Sequence, residues 1–127
     1  MDLAVRPKLS DLLKVHYSTD LAISIIIPTR NEADNIETLL TRISEAMEGI
    51  PAEVVFVDDS TDHTPEVIRN LQHQFPLEVR LIARPPERRG NGLGGAVIEG
   101  FRSACAPWAC VMDGDLQHPP QLIPCLL

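Results

Sequence analysis

Basic residues are in short supply in this chain: 11 Lys and Arg stand against 18 Asp and Glu, for a net charge of -7. That balance argues against non-specific binding to nucleic acid, yet a few local arginines still suffice for a phosphorylated ligand. Cysteine is also sparse. Cys105, Cys110 and Cys125 are odd in number and lack a Cys-x-x-Cys spacing, which speaks against structural zinc and against a disulfide framework. No segment reaches the roughly 18 consecutive apolar residues of a membrane span. The first residues carry Arg6 and Lys8 but no long apolar core, so they do not read as a secretory signal. The default compartment is cytoplasmic, with attachment to the cytoplasmic face of a membrane left open. A length of 127 residues implies one domain.

Within that domain, apolar strand-like runs alternate with helix-like ones. Residues 1–20 read as a leader segment, with Leu9, Leu12, Leu13 and His16 at helical spacing. Ile23-Ser24-Ile25-Ile26-Ile27 is rich in β-branched residues and nearly continuous in apolarity, the mark of a strand buried on both faces. A helix is expected next, capped by Asn31, with Glu32 and Asp34 in its first turn and Ile36, Leu39, Leu40, Ile43 and Met47 along one face. Val54 to Val57 is the second strand. Thr64 reads as the cap of a helix with Pro65 at its first position and a buried stripe of Val67, Ile68, Leu71 and Phe75. Leu77 to Ala83 alternates and reads as a third, less covered strand. A glycine-rich stretch from Gly90 to Gly95 leads into another helix, and Trp108 to Met112 forms the fourth strand. Gln121 to Ile123 looks like the opening of one more helix. The order βαβαβαβ implies an α/β fold with a mostly parallel sheet flanked by helices.

Three strand exits are polar: Pro28-Thr29-Arg30-Asn31-Glu32, Asp58-Asp59-Ser60, and Asp113-Gly114-Asp115-Leu116-Gln117. In a parallel sheet all three belong at the carboxyl edge, where such folds bind ligands. Asp113, Asp115 and Gln117 are spaced to converge on one hard cation, Mg2+ or Mn2+, if Gly114 lets the backbone bend. A competing reading makes these acidic groups caps and turn formers. Asp58 and Asp59 are ligand candidates, because Asp62 and Thr64 are already available for local turn duties. The glycine stretch is neither a dinucleotide fingerprint nor a phosphate-binding loop, since it follows the third strand and has no Lys-Ser or Lys-Thr ending. It can still bring backbone and a helix start close to an anion, with Arg84, Arg88 and Arg89 beside it, or else be a solvated loop. His63, His73 and His118 are scattered and read as surface or hydrogen-bonding groups.

Taken in order, Ser24 to Glu32, Val57 to Asp62, Arg89 to Gly94 and Met112 to Pro119 resemble the family 2 glycosyltransferases, in particular the dolichyl- or polyprenyl-phosphate mannosyltransferase branch. The resemblance spans residues 22–127. It implies a nucleotide-sugar-binding, GT-A-like (Rossmann-like) sandwich and inverting transfer of a sugar to a lipid phosphate, with GDP-mannose as the expected donor. It places Pro28, Thr29, Asn31, Glu32, Asp58, Asp59, Arg89, Gly90, Asp113, Gly114 and Asp115 in the nucleotide-sugar site, and Asp113, Asp115 and Gln117 on the metal. Two departures stand out. Thr29 occupies a position where the family commonly has an aromatic residue, and the loop Arg89-Gly90-Asn91-Gly92-Leu93-Gly94 is two residues longer than the usual form. Residues 21–127 then correspond to the donor-binding part alone, so the catalytic residues on the acceptor side are not assignable. On this reading the isolated chain is weakly active or a nucleotide-binding relic, and an exposed sheet edge favours self-association or instability. A nucleotidyltransferase is a second enzyme reading. An aspartate-nucleophile phosphatase is a third, although its Asp-x-Asp pair ordinarily follows the first strand.

Overall fold

The computed structural model describes residues 20–116 and 119–126. The leader reading (apart from Asp20), the ligand reading of Gln117 and the surface reading of His118 lie outside the described residues. Among the described residues four strands alternate with three α-helices: β1 (Ile23–Thr29), α1 (Ile36–Ala46), β2 (Ala52–Asp58), α2 (Thr64–Leu71), β3 (Glu78–Ala83), α3 (Gly92–Ser103) and β4 (Trp108–Val111). Short 3-10 segments cover Pro86–Arg88 and Pro120–Leu126. The second of these replaces the expected closing helix, and Pro124 lies inside it, where its missing N–H interrupts regular helical bonding.

All neighbouring strands pair in parallel, in the order β3-β2-β1-β4. The chain therefore steps outward from β1 to β3 and then returns across the sheet to lay β4 on the far side of β1. Right-handed crossovers put the outward and return helices on opposite faces. On one face Ile25, Ile27, Val54 and Phe56 pack with Ile36, Leu39, Leu40 and Ile43 of α1 and Ile68 of α2. On the other, Ile26, Val55 and Val57 pack with Ala96 of α3. The near-continuous apolarity of β1 and β2 follows from this covering of both faces. β3 is only partly covered, as its alternation suggests. α3 approaches β1 and β2 so closely that a Cβ on Gly100 would lie 2.3 Å from Ile26 Cγ2.

The expected cap on α1 is not formed. Asn31 takes a left-handed backbone (φ 57°), and the helix begins five residues later, after Asn35. Asn tolerates that conformation because its short amide can bond to nearby backbone. Here the Asn31 side-chain oxygen accepts the N–H groups of Thr61 and Asp62, at 2.9 and 3.2 Å. Asn31 thus ties the exit of β1 to the exit of β2. α2 begins at Thr64 itself rather than after it; Asp62 Oδ1 accepts the Thr64 N–H and hydroxyl, and these bonds hold its carboxyl below the usual range.

Candidate functional site

The order reversal between β1 and β4 opens a crevice at the carboxyl edge of the sheet, the place where doubly wound sheets receive ligands. A cavity of about 410 Å³ lies there. β1 contributes Pro28 and Thr29 and, just beyond it, Arg30 and Glu32. β2 leads to Asp59. Arg89, Gly92, Leu93 and Ala96 come from the loop and start of α3, and Asp113, Gly114 and Asp115 follow β4. Three strand exits far apart in sequence are thus brought to one site, as their polarity implied.

Neighbouring aspartates after β2 take different duties. Asp58 is buried and accepts the Thr29 hydroxyl at 2.6 Å and the Ser60 N–H and hydroxyl at 3.1 and 2.7 Å. It is not among the residues that line the cavity; it fastens the two strand ends together. Asp59 faces the cavity. Its Oδ1 accepts Arg84 Nε at 2.8 Å, its Oδ2 accepts a terminal nitrogen of Arg84 at 2.5 Å, and Arg89 Nε stands 3.8 Å away.

Arg84 is itself 3% exposed, and it also donates to the carbonyls of Arg88 and Gly92. The hydrogen bonds to Asp59 push its pKa above the ordinary arginine value, and burial opposes them. Its donors are directed at protein, whereas Arg89 and Arg30 stand on the cavity wall, Arg89 donating as well to the carbonyls of Arg84 and Ser60 at 2.9 and 3.2 Å. Arg30 was not singled out from sequence. Thr29 turns its hydroxyl inward to Asp58 and leaves the exposed position to Arg30, whose guanidinium donates to the Asp59 carbonyl at 3.1 Å. Alternation along an extended strand was the signal that could have found it. Asn31 and Gly90 do not line the cavity; Asn31 braces the strand exits and Gly90 is exposed in the turn before α3. Arg88 points away and pairs with Glu99, on the wall of a second cavity of about 440 Å³.

Gly114 lies in the turn after β4 with a φ that is not positive, and a Cβ there would lie 3.3 Å from Thr29 Cγ2, a tight fit, and 3.6 Å from Glu32 Cγ, an ordinary contact. The left-handed residue of this turn is Leu116 (φ 67°). Among the described residues no group of three His, Cys, Asp or Glu side chains forms a metal cage. A hard cation of the magnesium type needs only one or two carboxylates, with water and substrate phosphates completing its shell. Asp113 and Asp115, both exposed and with no His or Cys among the lining residues, fit that kind of open site. The start of α3 at the cavity wall adds the positive end of a helix dipole, which favours an anion.

The glycosyl transferase family 2 model matches residues 24–127. The chain belongs to this family. It is 45% identical over 108 residues to a dolichol-phosphate mannosyltransferase of Pyrococcus furiosus, covering 84% of this chain and 29% of that protein. Enzymes of the same name from Saccharomyces cerevisiae (42% identical, 80% and 38% covered) and Mycosarcoma maydis (40% identical, 82% and 36% covered) are also similar. The chain thus spans less than two-fifths of the length of these curated relatives. Among solved structures, it superposes on the Pyrobaculum calidifontis mannosyltransferase PcManGT in complex with GDP-Man and Mn2+ with a TM-score of 0.65 and 28% identity, covering 93% of this chain and 36% of that one. The Rubrobacter xylanophilus mannosyl-3-phosphoglycerate synthase shares the fold with a TM-score of 0.57 at 22% identity, covering 87% of this chain and 34% of that one. The family 2 chain therefore carries a GT-A-type parallel sheet, in agreement with the fold class expected from its strand and helix pattern.

Proposed function

We propose that this chain forms the donor-binding part of a mannosyltransferase that moves mannose from GDP-mannose to a dolichyl or polyprenyl phosphate with inversion. In that reaction the bond from the sugar anomeric carbon to the diphosphate breaks, a new one forms to an oxygen of the acceptor phosphate, and GDP leaves. The observation that carries the reading is the convergence of Asp113 and Asp115, brought back across the sheet by β4, on the cavity that holds Glu32, Asp59, Arg30 and Arg89. The names of the curated relatives and the GDP-Man and Mn2+ bound to the Pyrobaculum mannosyltransferase support it.

Each group has a specific task. Glu32 and Asp59 accept hydrogen bonds from base or ribose donors; each oxygen of Asp59 keeps a lone pair after its bond to Arg84. Arg30 and Arg89 offset phosphate charge at the cavity wall. Asp113 and Asp115, with Gln117 from the sequence, hold Mg2+ or Mn2+, which when bound offsets the charge that grows on the departing diphosphate. The test is calorimetric titration of GDP-mannose with and without manganese. Asp115→Asn should lose about tenfold or more of the metal-dependent affinity, with little change in the urea midpoint. Equal metal-dependent affinity in the two proteins would refute the assignment.

A further inference from the structure

A buried polar cluster lies under the carboxyl end of α3, at the end of the sheet opposite the cavity. Glu53 in β2 is 0% exposed, and its Oε1 accepts Arg80 Nε at 2.9 Å. Its Oε2 accepts the Ser24 hydroxyl at 2.5 Å and the backbone N–H of Cys105 at 2.7 Å. Ser24 Oγ in turn accepts the Ala106 N–H at 3.1 Å. Arg80 reaches the other way and donates to the Ser103 hydroxyl and carbonyl, at 2.8 and 2.6 Å. Ser24 and Glu53 are register partners on adjacent strands, so the cluster is rigidly seated. Every residue from Ser103 to Ala106 except Ala104 is thereby fastened immediately before β4 begins.

We infer that Glu53, with Ser24 and Arg80, is a positioning group that sets the register of β4 and so the height at which Asp113 and Asp115 meet the cavity. The assignment deepens the donor-site reading and rests on it for its consequence. The need for such a pin follows from β4 itself. That strand has four residues and pairs only with β1 among the described residues. Trp108 and Cys110 face one side of the sheet, Ala109 and Val111 the other, and three of the four are exposed. A slip of one residue would put Asp113 in the buried place of Met112, which is 4% exposed, whereas a slip of two would leave each side chain of β4 on its own face. Hydrophobic patterning therefore resists the two-residue slip only weakly. A two-residue slip moves Asp113 by roughly 6.6 Å, more than a hydrogen bond or a metal contact tolerates. Bonds to the N–H groups of Cys105 and Ala106 resist that slip, because both donors would leave their acceptors.

Gln in place of Glu53 cannot satisfy all three donors. Its amide oxygen can face Ser24 and Cys105, but its NH2 then meets the Arg80 donor, and the reverse orientation loses the other two. Amide hydrogen exchange of Glu53→Gln, read by NMR, tests the inference. The Met112 amide, which bonds to Ile26 O in the native register, should exchange about tenfold faster relative to the β1–β2 amides, the equivalent of one charge-assisted hydrogen bond. Ser24→Ala, a milder change, should show the same selectivity with a smaller factor and serves if Glu53→Gln does not fold. Uniform acceleration of all sheet amides, or an unchanged Ile26–Met112 pairing in both variants, would overturn the assignment. Because exchange is read without ligand, failure of donor binding in the wild-type chain would count against the proposed function and leave this test standing.

Discussion

Gly100 and Gly94 lie in one helix and make opposite predictions for one substitution. A Cβ at Gly100 would sit 2.3 Å from Ile26 Cγ2 and 3.2 Å from Val57 Cγ2. Carbon atoms in contact rest at about 3.5–4.0 Å, so the overlap exceeds an ångström. Ile26 and Val57 are fully buried and β-branched, with little rotamer freedom to yield, so α3 itself must lift. Overpacking of this kind costs about 1–3 kcal/mol, and this site belongs near the upper end. The gain in helix propensity from Gly to Ala returns about 1 kcal/mol, leaving a net loss of about 2 kcal/mol for Gly100→Ala. At Gly94 a Cβ meets nothing within 4 Å and φ is not positive, so Gly94→Ala should stabilise by up to about 1 kcal/mol. Urea unfolding followed by circular dichroism measures both. If Gly100→Ala proved as stable as Gly94→Ala, the close approach of α3 to β1 would be wrong. Lifting α3 also displaces Gly92 and Leu93 on the cavity wall, so Gly100→Ala should weaken nucleotide-sugar binding, with Gly94→Ala as the control.

Two other perturbations test separate parts of the structure. Arg84→Met leaves Asp59 facing only the more distant Arg89 and should cost about 3–5 kcal/mol in urea unfolding, because a largely buried carboxylate loses its partner; a loss under 1 kcal/mol would mean the pair is more hydrated than its burial indicates. Burial pushes the Cys110 thiol above its ordinary pKa, so at pH 8 it holds less reactive thiolate, and iodoacetamide with mass spectrometry should modify exposed Cys125 well before Cys110.

Local features of the chain were legible where one physical cause dominated. Burial on both faces required the unbroken apolar runs of β1 and β2, and polar exits at Thr29, Asp59 and Asp113 followed from ending such strands at a parallel sheet's carboxyl edge. The glycines before α3 and the acidic residues after β4 likewise pointed to their surroundings, and Gly114 lies in the turn that follows β4, where it also packs close on Thr29. Asn31 looked like a cap because capping is the commonest local use of that side chain, but its partners, Thr61 and Asp62, lie 30 and 31 residues away.

What remained for the tertiary structure was everything that depends on which strands become neighbours. Alternating strands and helices require parallel pairing but leave strand order open, and the order β3-β2-β1-β4 puts Gly114 beside Thr29 and Glu32. The same order separates Asp58 from Asp59 and gives Arg84 to Asp59. It also buries Glu53 between Ser24, Arg80 and Cys105, a cluster assembled from four segments. Periodicity records the environment of each residue, apolar or polar, on each face. The identity of a partner tens of residues away is set by packing, which no local pattern encodes.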